Sequence, residues 1–272
     1  MFTGKVIVIT GGSSGLGRAL AERLVKKGAS LALISRNPDK LATVKENLIS
    51  ACTGTQKIEV FPCDISNFTK TRKTLSLIVD SFGLPDILIN SAGILKEGYF
   101  EEIPLSAFRE VMDVNFFGVI NCVKAIIPLF KQKGRGRIVN IASLGGRIGA
   151  FGYSAYGSSK FALIGLSETL RVELKPQNIK VQMVCPGEFD SPMVDELNAG
   201  RTKENMANAQ TVPVLSLDVV ADGVIKGIEN DQFLILPGLT TRFFDWLNRL
   251  APSLLRTIVD YKVSKIYIGP KK

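Results

Sequence analysis

The run Lys5-Val-Ile-Val-Ile-Thr10, followed without a break by Gly11-Gly-Ser-Ser-Gly15-Leu-Gly17, decides the fold. Val6 to Thr10 are all β-branched, the composition of a strand buried on both faces of a parallel sheet. The glycines must then turn the chain into a helix, predicted over Arg18 to Lys27. Such a turn lets bare backbone approach a pyrophosphate, which sits on the N–H groups and positive dipole end of the helix. A glycine-rich surface turn without a ligand is the bland alternative, and the strand before and helix after count against it. The candidate phosphate-side residues are Gly11, Ser13, Ser14, Gly15, Leu16 and Gly17.

Further strands are predicted at Ser30–Ser35, Lys57–Pro62, Asp86–Asn90, Arg137 to about Ser143, Lys180–Cys185 and Gln232–Leu236. Helical patterns alternate with them: one opened by Asn37-Pro38-Asp39, one of roughly Leu105 to Lys131, one from Tyr153 onward and one over Ser216 to Glu229. This alternation implies an α/β, doubly wound, Rossmann-type parallel sheet of seven strands with helices on both faces. With 272 residues, 46% of them hydrophobic, one large domain over residues 1–238 is expected, followed by an amphipathic basic extension over 239–272. Residues 188–212 are polar, lack regular apolar spacing, and read as a long substrate loop.

Composition narrows the chemistry. There is no histidine, and the four cysteines (Cys52, Cys63, Cys122, Cys185) are scattered without the spacing of a zinc site, which argues against a metal mechanism. Acid–base work then falls to Tyr, Lys or a carboxylate. Cysteines used this way read as small core residues in a reducing compartment. The N-terminus enters a strand directly and no apolar run reaches about 18 residues, so a cytoplasmic location with no membrane span is expected. The formal net charge of +9 suits an anionic partner. No nucleic-acid-binding motif accompanies it.

The chemistry-bearing stretch is Ser143 to Lys160. Tyr156 and Lys160, at i and i+4 on one helix, lie one above the other, so an ammonium can act on the phenol proton and lower its pKa. An ordinary amphipathic face would give the same pair; Ser143, ending a β-type run beside the helix start, adds the hydroxyl that such a face would not need. Strand two ends in Ser35-Arg36, where a fold preferring NAD carries a carboxylate for the ribose 2′-hydroxyl. Ser35 and Arg36 can instead hold a 2′-phosphate, which favours NADP; the alternative is a solvated loop cation.

With the glycine turn and Ser143, Tyr156 and Lys160 in place, the chain resembles the short-chain dehydrogenase/reductase family from about residue 4 to about residue 238. Within it, residues 149–175, Gly12-Ser13-Ser14-Gly15, Arg36-Asn37 and Phe189-Asp190-Ser191-Pro192 are most similar to 3-ketodihydrosphingosine reductases. The resemblance implies a catalytic set of Asn115, Ser143, Tyr156 and Lys160. In it Lys160 also holds the nicotinamide ribose, and Asn115 holds a water that links Lys160 to solvent. It implies further cofactor contacts at Asp64 and Ile65, at Asn90, Ala92 and Gly93, and at Pro186 and Gly187. Two of these positions have plain alternatives: Asp64 as a cap for the helix beginning near Asn67, and Asn115 as a hydrogen-bonded residue at a helix–helix contact. Ser91 departs from the usual Asn-Asn-Ala-Gly.

The implied reaction is NADPH-dependent reduction of a carbonyl to a secondary alcohol on an apolar or lipid ketone, by a homodimer or homotetramer. A steroid, retinoid or acyl-chain reductase fits the same motifs, and so does a non-catalytic NADP-binding regulator. The extension interleaves Phe243, Phe244, Trp246, Leu247, Leu250, Leu254 and Leu255 with Arg242, Arg249, Arg256, Lys262 and Lys265. It can meet a membrane surface, cover the pocket, join subunits or simply pack on its own protein.

Overall fold

The computed structural model describes residues 1–268 apart from Thr53 and Gln210; the end of the expected extension, 269–272, lies outside the described residues. Seven parallel strands, β1 (Val6–Thr10), β2 (Ser30–Ser35), β3 (Ile58–Pro62), β4 (Ile87–Asn90), β5 (Gly136–Ile141), β6 (Ile179–Val184) and β7 (Leu234–Ile235), lie in the order β3-β2-β1-β4-β5-β6-β7. Val6 to Thr10 pair with β2 on one side, and Ile7 to Thr10 pair with β4 on the other. The order therefore reverses between β1 and β4. At such a switch point two crossovers leave in opposite directions and open a crevice at the carboxyl ends of the strands.

Helices cover both faces. In chain order they are α1 (Gly15–Lys26), α2 (Pro38–Ile49), α3 (Phe68–Phe82), α4 (Leu105–Met112), α5 (Gly118–Lys133), α6 (Ser154–Leu174), α7 (Pro192–Asn198), α8 (Lys203–Ala209), α9 (Leu217–Glu229), α10 (Leu239–Leu250) and α11 (Pro252–Tyr267). Alternate strand residues feed two cores. Ile7, Ile9, Leu31 and Leu33 pack with α1, α2 and α9, while Val8, Ala32, Leu88 and Ile138 pack with α3, α5 and α6. Burial of both faces is what the unbroken β-branched run required.

Three departures from the sequence reading bear on function. The long helix is real, but a π-helical turn over Asp113–Phe117 separates α4 from α5 and contains Asn115. By length and mean hydropathy (1.5), Leu105–Lys133 could cross a bilayer, contrary to the expectation that no stretch would qualify. It nonetheless packs on α3 and α6, and Asn121 donates to the carbonyls of Ile65 and Ser66, the marks of a core helix. The expected loop 188–212 holds two short helices, α7 and α8. The extension folds into α10 and α11 across the carboxyl end of the sheet, α11 against α8.

Candidate active site

Each side of the crevice comes from a different stretch of chain. At its mouth the chain turns at Gly11, whose φ of +68° is one that L side chains avoid, and a Cβ there would meet the backbone of Ala92 at 2.8 Å. A Cβ on Gly17 would run into the Gly11 carbonyl, so the first turn of α1 packs directly under the loop. Ser14 is the N-cap of α1 with extended backbone, yet its hydroxyl caps nothing. The helix N-terminus is thus left to a ligand, with a cradle that only glycine can shape. These features fit a nicotinamide dinucleotide diphosphate.

Gly11, Ser14, Gly15, Leu16, Gly17, Ala92, Gly93, Ser143, Tyr156, Lys160, Pro186 and Gly187 line one cavity of about 280 Å³. A neighbouring cleft continues it past Ser13, Arg18, Arg36 and Lys40. The Ser13 and Ser35 hydroxyls lie 2.8 Å apart, which joins the phosphate turn to the end of β2 beside Arg36. Ser91, the departure from the usual Asn-Asn-Ala-Gly, lines the cavity too, and its N–H and that of Ala92 donate to Thr10 Oγ1 at 3.1 and 3.2 Å.

Other expected residues sit behind the wall. Asn90 is buried and donates to Asn140 Oδ1 (2.8 Å), and Asn140 donates to Ser167 (3.0 Å), a polar thread beneath the site. Ile65 is buried, with its side chain against Gly118 of α5. Asp64 is not the cap of α3; Asn67 is, accepting from Lys70 N–H. Partial burial works against the Asp64 carboxylate, but the Ser66 hydroxyl and N–H, aided by the charge of Arg36, hold its pKa below the usual range.

At the floor, Ser143 follows β5 and opens a 3₁₀ turn, its Oγ accepting from Gly145 N–H at 3.0 Å. Tyr156 and Lys160 rise one above the other from α6, with the ammonium 5.6 Å from the phenol ring centroid. Burial pushes the Tyr156 pKa up to about 12, and its hydrogen bond with Ser143 opposes the rise. The depression expected from Lys160 does not set the direction; desolvation does. Burial lowers the Lys160 pKa to about 8, and its ammonium donates to the Ile141 carbonyl at 2.9 Å. A protonated phenol held against a serine hydroxyl is a proton donor waiting for a carbonyl oxygen.

Asn115 makes the hydrogen bonds expected of a residue at a helix–helix contact. Its amide donates to the Ile94 carbonyl (2.9 Å) and Ser159 Oγ (3.0 Å), and its oxygen accepts from Ile94 N–H (2.8 Å). Both amide hydrogens are spent tying the π turn to α6 and to the loop after β4. The side chain thereby fixes the π turn beside Lys160, since its Oδ1 lies close to the Gly93 backbone that also approaches Lys160 Nζ.

Residues 188–212, with α7 and α8, lie over the cavity as a lid, and this lid and the extension supply residues that sequence reading missed. Glu188 forms a two-pronged pair with Arg201 (2.9 and 2.6 Å), Asn205 donates to the Phe151 carbonyl, and Glu204 accepts from Tyr99 (3.0 Å) and Tyr267 (2.6 Å). In the extension, Thr241 Oγ1 accepts from Gly187 N–H at 3.3 Å, and buried Asp245 pairs with Arg147, four residues beyond Ser143. Phe244, Leu255 and Val259 line the same cavity as Tyr156. A domain boundary at 238 thus cuts through the pocket wall.

The short chain dehydrogenase family model matches residues 5–202. This chain belongs to the short-chain dehydrogenases. A 3-ketodihydrosphingosine reductase of Dictyostelium discoideum is 36% identical, covering 94% of this chain and 84% of that protein. Among solved structures, a short-chain dehydrogenase/reductase from Burkholderia phymatum in complex with NAD superposes with a TM-score of 0.82 at 26% identity, over 93% of this chain and 96% of its own. ElxO with NADP bound gives 0.75 at 26% identity, over 86% and 96%. As a short-chain dehydrogenase the protein is an oxidoreductase, and its cradle suits the dinucleotides these neighbours carry.

Proposed function

We propose that this short-chain dehydrogenase reduces the ketone of a long-chain lipid, a 3-ketodihydrosphingosine-like substrate, to a secondary alcohol with NADPH. One observation carries the lipid reading: the roof of the cavity above Tyr156 is apolar and comes from the extension (Phe244, Leu255, Val259) and the lid (Phe189, Met193, Val194). The name of the Dictyostelium relative points the same way. Arg36, exposed at the cleft beside the linked Ser13 and Ser35 hydroxyls, supports NADPH over NADH, since a 2′-phosphate would meet a guanidinium where NAD folds offer a carboxylate.

The nicotinamide, when bound, supplies the hydride. The chain does the rest. Ser143 and Tyr156 donate hydrogen bonds to the ketone oxygen and stabilise the charge that grows on it. Tyr156, protonated at neutral pH, hands over its proton as the alcohol forms. The Lys160 ammonium beside it favours the phenolate left behind. The apolar roof excludes water from the reacting carbonyl.

The reading extends to location. Leu239, Phe243, Trp246 and Leu250 recur at helical spacing along α10 and are 81, 53, 56 and 66% exposed, so an apolar stripe faces outward on the helix whose Phe244 faces the cavity. Arg242, Arg249 and Arg256 stand exposed around it. Such a face suits the cytoplasmic surface of an anionic bilayer, each basic residue contributing roughly 1 kcal/mol there. Cosedimentation with anionic vesicles tests this, and a stripe covered by a second copy would appear instead as a dimer that ignores vesicles. The reaction is tested by NADPH oxidation with long-chain 3-ketones, steroids and short ketones in parallel; equal rates on all three would remove the lipid assignment.

A further inference from the structure

Asn208 sits on α8, in the lid, and lines the cavity with Tyr156 and Ser143. Both its amide nitrogen and its amide oxygen are buried, and neither has a hydrogen-bond partner among the described residues. The other polar lid side chains around the cavity are all engaged. Glu188 and Arg201 hold each other, Asn205 is bonded to Arg201 and the Phe151 carbonyl, Ser191 caps α7, and Thr211 donates to the Ala207 carbonyl. Nor is α8 free to carry Asn208 out to water. Glu204, one helical turn earlier, is buried between the Tyr99 and Tyr267 hydroxyls, and Asn205 is 1% exposed.

A buried carboxamide with nothing to bond is costly, and such a group in a native fold calls for an explanation. Asparagine is also a poor helix former, so neither the helix nor the apolar lining accounts for it. We infer that Asn208 is a specificity-determining residue that reads a polar head on the substrate, a group that both donates and accepts hydrogen bonds, such as a hydroxyl or amine close to the ketone. The inference rests on the ketone-reductase reading and refines it. The apolar roof takes the chain and the catalytic pair takes the carbonyl. Among these lid side chains Asn208 is the one whose polar atoms have no bond at all among the described residues. Plain alkyl ketones would leave the amide unpaired and forgo its hydrogen bonds, as sites built to bond a substrate hydroxyl discriminate against analogues that lack it.

The test compares wild type, Asn208→Leu and Asn208→Ala on two ketones of equal chain length, 3-ketodihydrosphingosine and an unsubstituted 3-ketone, together with thermal melting of each protein without substrate. The expected result is a wild-type preference for the substituted ketone. In both variants kcat/KM for it should fall roughly tenfold to a hundredfold, with little change for the plain ketone. Asn208→Leu should melt no lower than wild type, because it removes an unpaired buried amide. An unchanged preference in both variants overturns the inference. So does a marked drop in the melting temperature of Asn208→Leu, which would mean the amide is bonded within the protein. Should wild type reduce neither ketone, the ketone-reductase reading fails separately, and the melting comparison still decides whether the amide is unpaired.

Discussion

Replacing Asp245 by Ala should show how far the substrate end of the site depends on the extension. Asp245 is 2% exposed and its carboxylate pairs with Arg147, itself mostly covered, on the segment that leaves Ser143. The same segment is held a second time, by Asn248 donating to the Arg147 carbonyl at 3.0 Å. Removing one member of a buried pair leaves the other charge without compensation and costs about 3–5 kcal/mol. For a chain of this size each kcal/mol lowers the melting temperature by roughly 2–4 °C, so a drop of roughly 6–20 °C is expected. The loss should reach chemistry as well, because the loosened segment begins at the serine that contacts Tyr156. Calorimetry and steady-state NADPH oxidation measure the two effects. A double replacement, Arg147→Leu with Asp245→Leu, should regain most of the stability, since apolar residues of similar volume can substitute for a buried ion pair. If Asp245→Ala melts within about 2 °C of wild type, or if the double replacement is no better than the single one, the pair is not what fastens α10 to the site.

Tyr156→Phe should lower kcat by about 10²–10⁴-fold while NADPH binding, followed by fluorescence, survives; more than a tenth of wild-type activity would remove Tyr156 as the acid. Arg36→Asp should weaken NADPH at least about tenfold more than NADH, as expected if a charge-assisted contact is lost only with the 2′-phosphate; equal losses would place Arg36 outside the phosphate site. NADPH affinity of the free enzyme should fall as pH rises through about 8, where Lys160 loses its proton, and be flat there in Lys160→Met. Because the folded-state pKa of Lys160 lies below its ordinary 10.5, the unfolded chain binds more protons between those values. Its contribution to stability should therefore increase from about pH 8 toward 10.5, which urea melts of wild type and Lys160→Met can separate.

The parts of this molecule that local pattern can encode were readable. Five β-branched residues before a glycine turn announce a buried strand and a phosphate cradle, and a four-residue spacing on one helix puts Tyr156 under Lys160. What could not be read depends on distant partners. Residues 188–212 look like a polar loop because Glu188, Arg201, Glu204 and Asn205 are polar. Yet they are fixed by one another and by Tyr99, Phe151 and Tyr267, each more than fifty positions away from the residue it holds. Asp245 reads as one more charge in an amphipathic tail until folding sets it on Arg147. Asn115 was visible as an oddity in a helix, but its purpose required the loop after β4 and Ser159, neither adjacent in sequence. Desolvation, which reverses the expected pKa shift of Tyr156, has no sequence signature.

The placement of α10 and α11 also sets the order in which the protein can become competent during synthesis. Chains leave the ribosome N-terminus first at roughly 5–20 residues per second, folding as they go. Every strand of the sheet and the whole phosphate cradle precede Gly238, so a nascent chain can gain its nucleotide-binding half before residues 239–267 emerge. Until they do, the lid lacks the Tyr267 contact to Glu204, and the cavity stands open where Phe244, Leu255 and Val259 will close it. A chain folded only as far as Gly238 would show a raw apolar hollow, the kind of surface that makes partly folded intermediates prone to aggregate, and the docking of α10 and α11 is what removes it.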